Sequence, residues 1–147
     1  MERNRLRNEN GVALIIALIM LLILTFIGIS AISTTTFEAN ISGNERVGTA
    51  AFYASEAIFQ VGLNQLPDTK SIPRTNIGED CYGWSGGAKD KESPKSLDSF
   101  GLYSKAGYDS SWAFKRYQIH ATGESFSATR EVEAQVSYGP FPAGTQY

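Results

Sequence analysis

The stretch NENGVALIIALIMLLILTFIGISAI, residues 8–32, sets a polar tag ending in Gly11 directly before a run from Val12 to Ile32 that carries no charge. At ~1.5 Å per helical residue that run reaches ~31 Å, close to the hydrocarbon thickness of a bilayer. A secretory signal has a shorter apolar core, roughly 7–15 residues, ahead of a small-residue cleavage site. Ser30 and Ala31 imitate such a site, but the core before them is too long. Arg3, Arg5 and Arg7 stand on the N-terminal flank, and the first basic residue beyond the run is Arg46. That asymmetry predicts a cytoplasmic N-terminus and an outward-facing remainder.

The helical pattern continues past the apolar run, because no proline occurs before Pro67. Val47, Ala51, Ala54, Ile58 and Val61 share one arc of a helical wheel, widened by Phe52, Phe59, Leu63 and Leu66. Glu45, Arg46, Thr49, Tyr53, Glu56, Gln60 and Asn64 gather on the other side, as in a helix with one buried face. A single helix from Val12 to Leu66 is therefore expected, ~80 Å long by its rise. Its weak points are TFIGISAISTTT, residues 25–36, crowded with β-branched side chains around Gly28, and Gly43 between Ser42 and Asn44. In lipid the first of these is held helical by the cost of unpaired backbone groups.

Beyond Pro67 the chain changes character. Residues 70–109 mix Gly, Ser, Pro and charge without a sustained period, and KDKESPKS, residues 89–96, reads as a solvated loop. The aromatic clusters CYGW and GLYSKAGYDSSW give no assignable element. Near the end, Tyr117, Ile119 and Ala121 alternate with polar neighbours, and so do Val132, Ala134, Val136 and Tyr138. With GESFSATR read as the turn, these runs predict an antiparallel hairpin over about residues 114–138. A hairpin alone is marginal, so its apolar face should rest on the helix face bearing Ala51, Ala54, Ile58 and Val61. The fold class read from the pattern is α+β, a long N-terminal helix packed on a small antiparallel sheet.

Composition restricts function. The 147 residues carry 13 Lys and Arg against 15 Asp and Glu, a net charge of -2, which provides no basic field for nucleic acid. The single cysteine, Cys81, forms no intrachain disulfide and reads as a small buried hydrophobe. His120, the one histidine, falls on the strand face opposite Ile119, and no zinc, thiol-enzyme or phosphate-loop pattern occurs. Asp80, Asp90, Asp98 and Asp109 lack the close spacing of a calcium loop. No cofactor or metal and no catalytic residues are indicated, and the chain does not read as an enzyme.

A short basic leader ending in Gly11, followed by Val12-Ala13-Leu14-Ile15, resembles the class III signal of type IV pilins, which prepilin peptidase cuts after the glycine. The longer match, GVALIIALIMLLILTFIGISAISTTTFEANISGN followed by AFYASEAI, resembles the N-terminal domain of the PilX family of minor pilins over roughly residues 7–66. The TTT run with Glu38 after it, the SGN turn at Ser42–Asn44 and AFYASEA at residues 51–57 carry that likeness.

The resemblance implies a leader at 1–11, a transmembrane and filament-core helix at 12–36, an amphipathic continuation at 37–66 and a small globular region at 67–147. It implies processing between Gly11 and Val12, retention in the bacterial inner membrane with the globular part periplasmic, and later transfer to a pilus at the cell surface. Its implied partners are other minor pilins, the major pilin, the inner-membrane assembly platform and a tip adhesin, with prepilin peptidase as processing enzyme. Glu38 and Ile16 become candidate filament-assembly residues. The fifth residue after the cleavage point, usually a glutamate that neutralises the amino terminus of an adjoining subunit, is here Ile16. That departure points to initiation or capping at or near a tip. Two alternatives stay open: a minor pseudopilin of type II secretion, and a simple bitopic anchor presenting a periplasmic domain. The former usually carries a large insertion for which the residues after Pro67 leave little room.

Overall fold

The computed structural model describes residues 3–144, with side-chain surroundings from Gly11 onward. The side chains of residues 1–10, Arg3, Arg5 and Arg7 among them, lie outside what is described. Helix α1 runs Arg3–Gln65 and is followed by five strands: β1 (Thr75–Gly78), β2 (Cys81–Ser85), β3 (Asp98–Tyr103), β4 (Trp112–Ser125) and β5 (Ala128–Pro142). A 3-10 turn, Ala88–Asp90, lies between β2 and β3. The chain forms two compact units, one ending at Gly43 and the other beginning at Asn44.

The first unit consists of helix alone. Its apolar side chains, from Val12 through Ile41, all stand exposed, and the helix is long and apolar enough to cross a membrane. Such a surface needs a non-aqueous surrounding. The β-branched segment stays helical through Gly28. Its threonine hydroxyls find partners within the helix: Thr25, Thr34, Thr35 and Thr36 donate to the carbonyls of Leu21, Ser30, Ala31 and Ile32 at 2.7–3.0 Å. Each of these bonds satisfies a hydroxyl that lipid would leave unpaired.

In the second unit the end of α1 lies on an antiparallel sheet. Strand β4 is the hub. One of its edges pairs with β5 from Trp112↔Pro142 to Ser125↔Ala128; the other pairs with β3 through Asp98↔Gln118 and with β2 through Cys81↔Ser125. Strand β1 closes the far side of β2. The strands of the hairpin outrun the sequence alternation, because Gly123, Glu124 and Ser125 continue β4 and Ala128 to Arg130 begin β5. Of GESFSATR, only Phe126 and Ser127 turn. Residues 70–109, without period in sequence, supply β1, β2 and β3.

Helix and sheet meet where both lack side chains. Gly83 and Gly123 are cross-strand partners on β2 and β4. A Cβ on Gly123 would collide with the helix backbone at Ala51 O and Ser55 N, and one on Gly83 would collide with Ile58. The buried helix stripe is Gly48, Ala51, Ala54, Ser55, Ile58, Gly62 and Leu66. Val61 does not belong to it: it is 42% exposed, and Gly62 takes the place expected of it, against Ile119. The reason is geometric. Close approach favours the smallest side chains, which an apolar wheel undervalues, so the true face is rotated from the predicted one. Toward the helix end the core gathers Leu66, Leu97, Tyr117 and Ile119, flanked by Phe59, Leu63, Val136 and Tyr138. Ile58, Ile72 and Ala121 form its second cluster. Removing Ile119 or a side chain like it from water contributes ~1.5–3 kcal/mol.

Because side chains alternate along a strand, Trp84 and its partner Thr122 face away from the helix. Trp84, 1% exposed, donates from Nε1 to Gly87 O at 3.0 Å, and Thr122 Oγ1 donates to Gly86 O. Ser85 ties three segments together: its Oγ accepts from Ile72 N at 2.8 Å and donates to Lys95 O at 2.6 Å.

Candidate functional site

The residues named from sequence fall into two groups. Gly11, Val12, Ile16 and Glu38 lie in the first unit; Ala51, Ala54, Ile58 and Val61 lie in the second. Gly11 is inside α1, and a Cβ added to it would meet nothing within 4 Å. Val12 and Ile16 follow on the same apolar helix, Ile16 being 51% exposed. Glu38 is exposed past the threonine run. The surface on offer in this unit is thus a helix whose only polar side chains along the run from Val12 to Ile32 are Thr25 and Ser30, with an apolar residue at position 16. A carboxylate at position 16 would be costly in that surrounding unless a neighbour's ammonium met it.

In the second unit Ala51, Ala54 and Ile58 are buried and converge over the Gly83 and Gly123 pair. Sequence reasoning missed Gly48, Ser55, Gly62, Gly83 and Gly123. The signal for the helical ones is their spacing, since positions 48, 51, 55, 58 and 62 mark one stripe at helical period. For Gly83 and Gly123 no signal was available, because a glycine in CYGW or ATGES reads as punctuation until its partner is known.

The polar side chains of the sheet's outer face brace loops. Glu124 accepts from Lys91 Nζ at 2.8 Å and meets Arg74 Nη2 at 3.4 Å, while the Arg74 guanidinium lies 3.7 Å from the centre of the Tyr82 ring. The hydrogen bond from Lys91, helped by the Lys91 and Arg74 charges and opposed by partial burial, holds the Glu124 carboxyl below its ordinary range. KDKESPKS is thus an anchored loop: Lys91 is bound to Glu124, and Lys95 stands 3.5 Å from Asp90. His120 Nε2 meets Glu131 Oε2 at 3.2 Å, and Glu131 also accepts from Ala88 N. Cys81 is half-buried, its Sγ 3.5 Å from Ser125 Oγ. Among the described residues no three His, Cys, Asp or Glu side chains converge as metal ligands would.

Residues 10–59 match the family model described as PilX N-terminal. No curated protein and no solved structure matches the chain. The matched span covers the apolar helix, the threonine run, the exposed Glu38 and the first half of the stripe that meets the sheet. Residues 10–59 are thus similar to the PilX N-terminal family, and the architecture, one long helix whose C-terminal part packs on a small antiparallel sheet, is α+β and pilin-like.

Proposed function

We propose that this chain is a structural part of a type IV pilus, a minor pilin that primes or caps the filament at or near its tip. The observation that carries the reading is Ile16. It stands five residues after Gly11 on an exposed apolar helix face and offers no carboxylate to a neighbour's amino terminus. After cleavage between Gly11 and Val12 the new ammonium would enter a low-dielectric filament core, where a charge without a partner costs several kcal/mol. A subunit that cannot neutralise an adjoining terminus fits a position where that neighbour is missing.

On this reading the helix is held first in the inner membrane, with the second unit in the periplasm, and then in the filament. Contacts follow with other minor pilins, the major pilin, the assembly platform and a tip adhesin, and Glu38 sits where the lipid-compatible run gives way to polar sequence. A clean deletion should abolish or sharply reduce surface pili without lowering the pool of major pilin. Antibody label on sheared filaments should sit at their ends. Even labelling along the shaft refutes tip placement, and normal piliation in the deletion strain refutes priming.

A further inference from the structure

Where the start of the second unit's helix passes the β4–β5 turn, a cleft of about 320 Å³ is lined by Asn44, Val47, Gly48, Phe126, Ser127, Ala128, Thr129 and Arg130. The Arg130 guanidinium lies along the helix at Gly48, where an added Cβ would stand 3.2 Å from Nη2, so the glycine makes the berth. The lining holds no carboxylate. Among the described residues the side chains of Asn44, Ser127, Thr129 and Arg130 have no hydrogen-bond or ion-pair partner. Three kinds of donor, amide, hydroxyl and guanidinium, therefore line one uncompensated cleft, an arrangement suited to a planar anion held in bidentate fashion. At its rim Phe126 is 66% exposed and adopts φ 48, the left-handed region that an aromatic residue rarely enters, with its N–H bonded to Asp80 O. That backbone is what a two-residue hairpin turn requires of its first residue, and it sets the ring beside the cleft.

We propose that this cleft receives an aspartate or glutamate side chain of an adjacent filament subunit, the carboxylate meeting Arg130 and the Asn44, Ser127 and Thr129 donors while an apolar neighbour of that acid lies on Phe126. The donor set of the cleft is complementary in charge to a carboxylate, and the exposed Phe126 ring beside it gives a protein segment, unlike a free anion, an apolar surface to lie on. The proposal rests on the pilus reading.

The test places a photoreactive benzoylphenylalanine at position 126 of the full-length protein in piliated cells and maps the adduct after irradiation. The expected adduct lies in another pilus subunit, within a few residues of an Asp or Glu. Arg130→Glu should lower its yield about tenfold at equal protein abundance, and Arg130→Lys should keep most of it. If Arg130→Glu lowers abundance, Arg130→Gln, which removes the charge without reversing it, decides. Any of four results overturns the proposal: undiminished yield in the Arg130 variants, no adduct, an adduct remote from any acid, or an adduct only to a protein outside the pilus. Submillimolar binding of inorganic phosphate to the purified chain in micelles, lost in Arg130→Gln, also overturns it in favour of a free-anion site. Piliation of the deletion strain, scored in parallel, separates the two readings: lost pili with Arg130-independent cross-linking refutes the cleft alone, and normal pili refute the pilus role.

Discussion

Placing a methyl group on Gly123 tests the helix–sheet junction where it is tightest. The new Cβ of Gly123→Ala would collide with Ala51 O and Ser55 N and stand 2.9 Å from Ala54 C, all of them backbone atoms of a helix turn that cannot rotate aside. Ordinary contact requires roughly 3.5–4.0 Å between carbons, so the helix must lift by an ångström or more. Lifting it loosens Ala51, Ala54 and Ile58 together, residues that are all buried. Overpacking of a core costs ~1–3 kcal/mol where side chains can yield. Here the backbone must yield, and the ~0.5–1 kcal/mol that alanine regains over glycine in a strand offsets only part. A loss of about 3 kcal/mol should lower Tm by more than ~10 °C for a unit of this size. Tryptophan fluorescence, from Trp84, 1% exposed, and Trp112, 41% exposed, both on the same sheet, reports unfolding of the full chain in detergent micelles, where the apolar helix would dominate far-UV signals. Gly78→Ala, in β1 with nothing within 4 Å of its Cβ, is the control. If both variants melt together with the wild type, the helix does not rest on Gly123 and the stripe is wrongly drawn.

Other perturbations check the remaining links. Replacing Gly11 with a bulky residue should block processing, leaving a precursor heavier by the leader, and intact-mass analysis of the wild type should find Val12 as the first residue; a mature chain starting at Met1 refutes pilin processing. Ile58→Asp buries an unpaired charge and should cost several kcal/mol, whereas Val61→Asp, on a residue 42% exposed, and Glu56→Lys should be mild. Equal losses in a thermal melt would restore Val61 to the buried face. Because the folded pKa of Glu124 is depressed below its ordinary 4.5, its contribution to stability is present above that pH and is lost as pH falls through the lower folded value. Glu124→Gln should therefore weaken the fold at neutral pH and show a smaller further loss below about pH 4.5, read from melts at both pH values; an unchanged acid dependence counts against the Lys91 and Arg74 bracing. Ile16→Glu should impair initiation or spread the protein along the shaft, and wild-type piliation with label confined to the ends would remove Ile16 from the argument.

What the sequence disclosed and what it withheld divide along the range of the interactions concerned. The apolar run, the continuation of the helix to the turn before Pro67 and the alternation around Ile119 and Val136 are local patterns, and each specifies an element whatever it packs on. The junction is not local. Gly123 looks like part of a turn because glycine usually ends a strand, but opposite Gly83 the same residue creates the hollow that lets a helix backbone touch a sheet backbone. The short strands β1 and β2 are likewise invisible, since their residues are shaped by pairing with β4 and by loops tied through Ser85. Val61 was misplaced for a related cause: an apolar wheel assumes that the most hydrophobic arc faces inward, whereas contact at the closest distance is won by the least bulky one. The same rule explains why the Arg130 cleft could not be foreseen. An arginine at the start of an edge strand reads as solubilising charge, and only the berth at Gly48, far from Arg130 in the sequence, turns it inward toward the helix. In this protein glycines mark where separate segments meet, so the pairs Gly83 with Gly123 and Gly48 with Arg130 define packing and candidate contact more sharply than any apolar residue does.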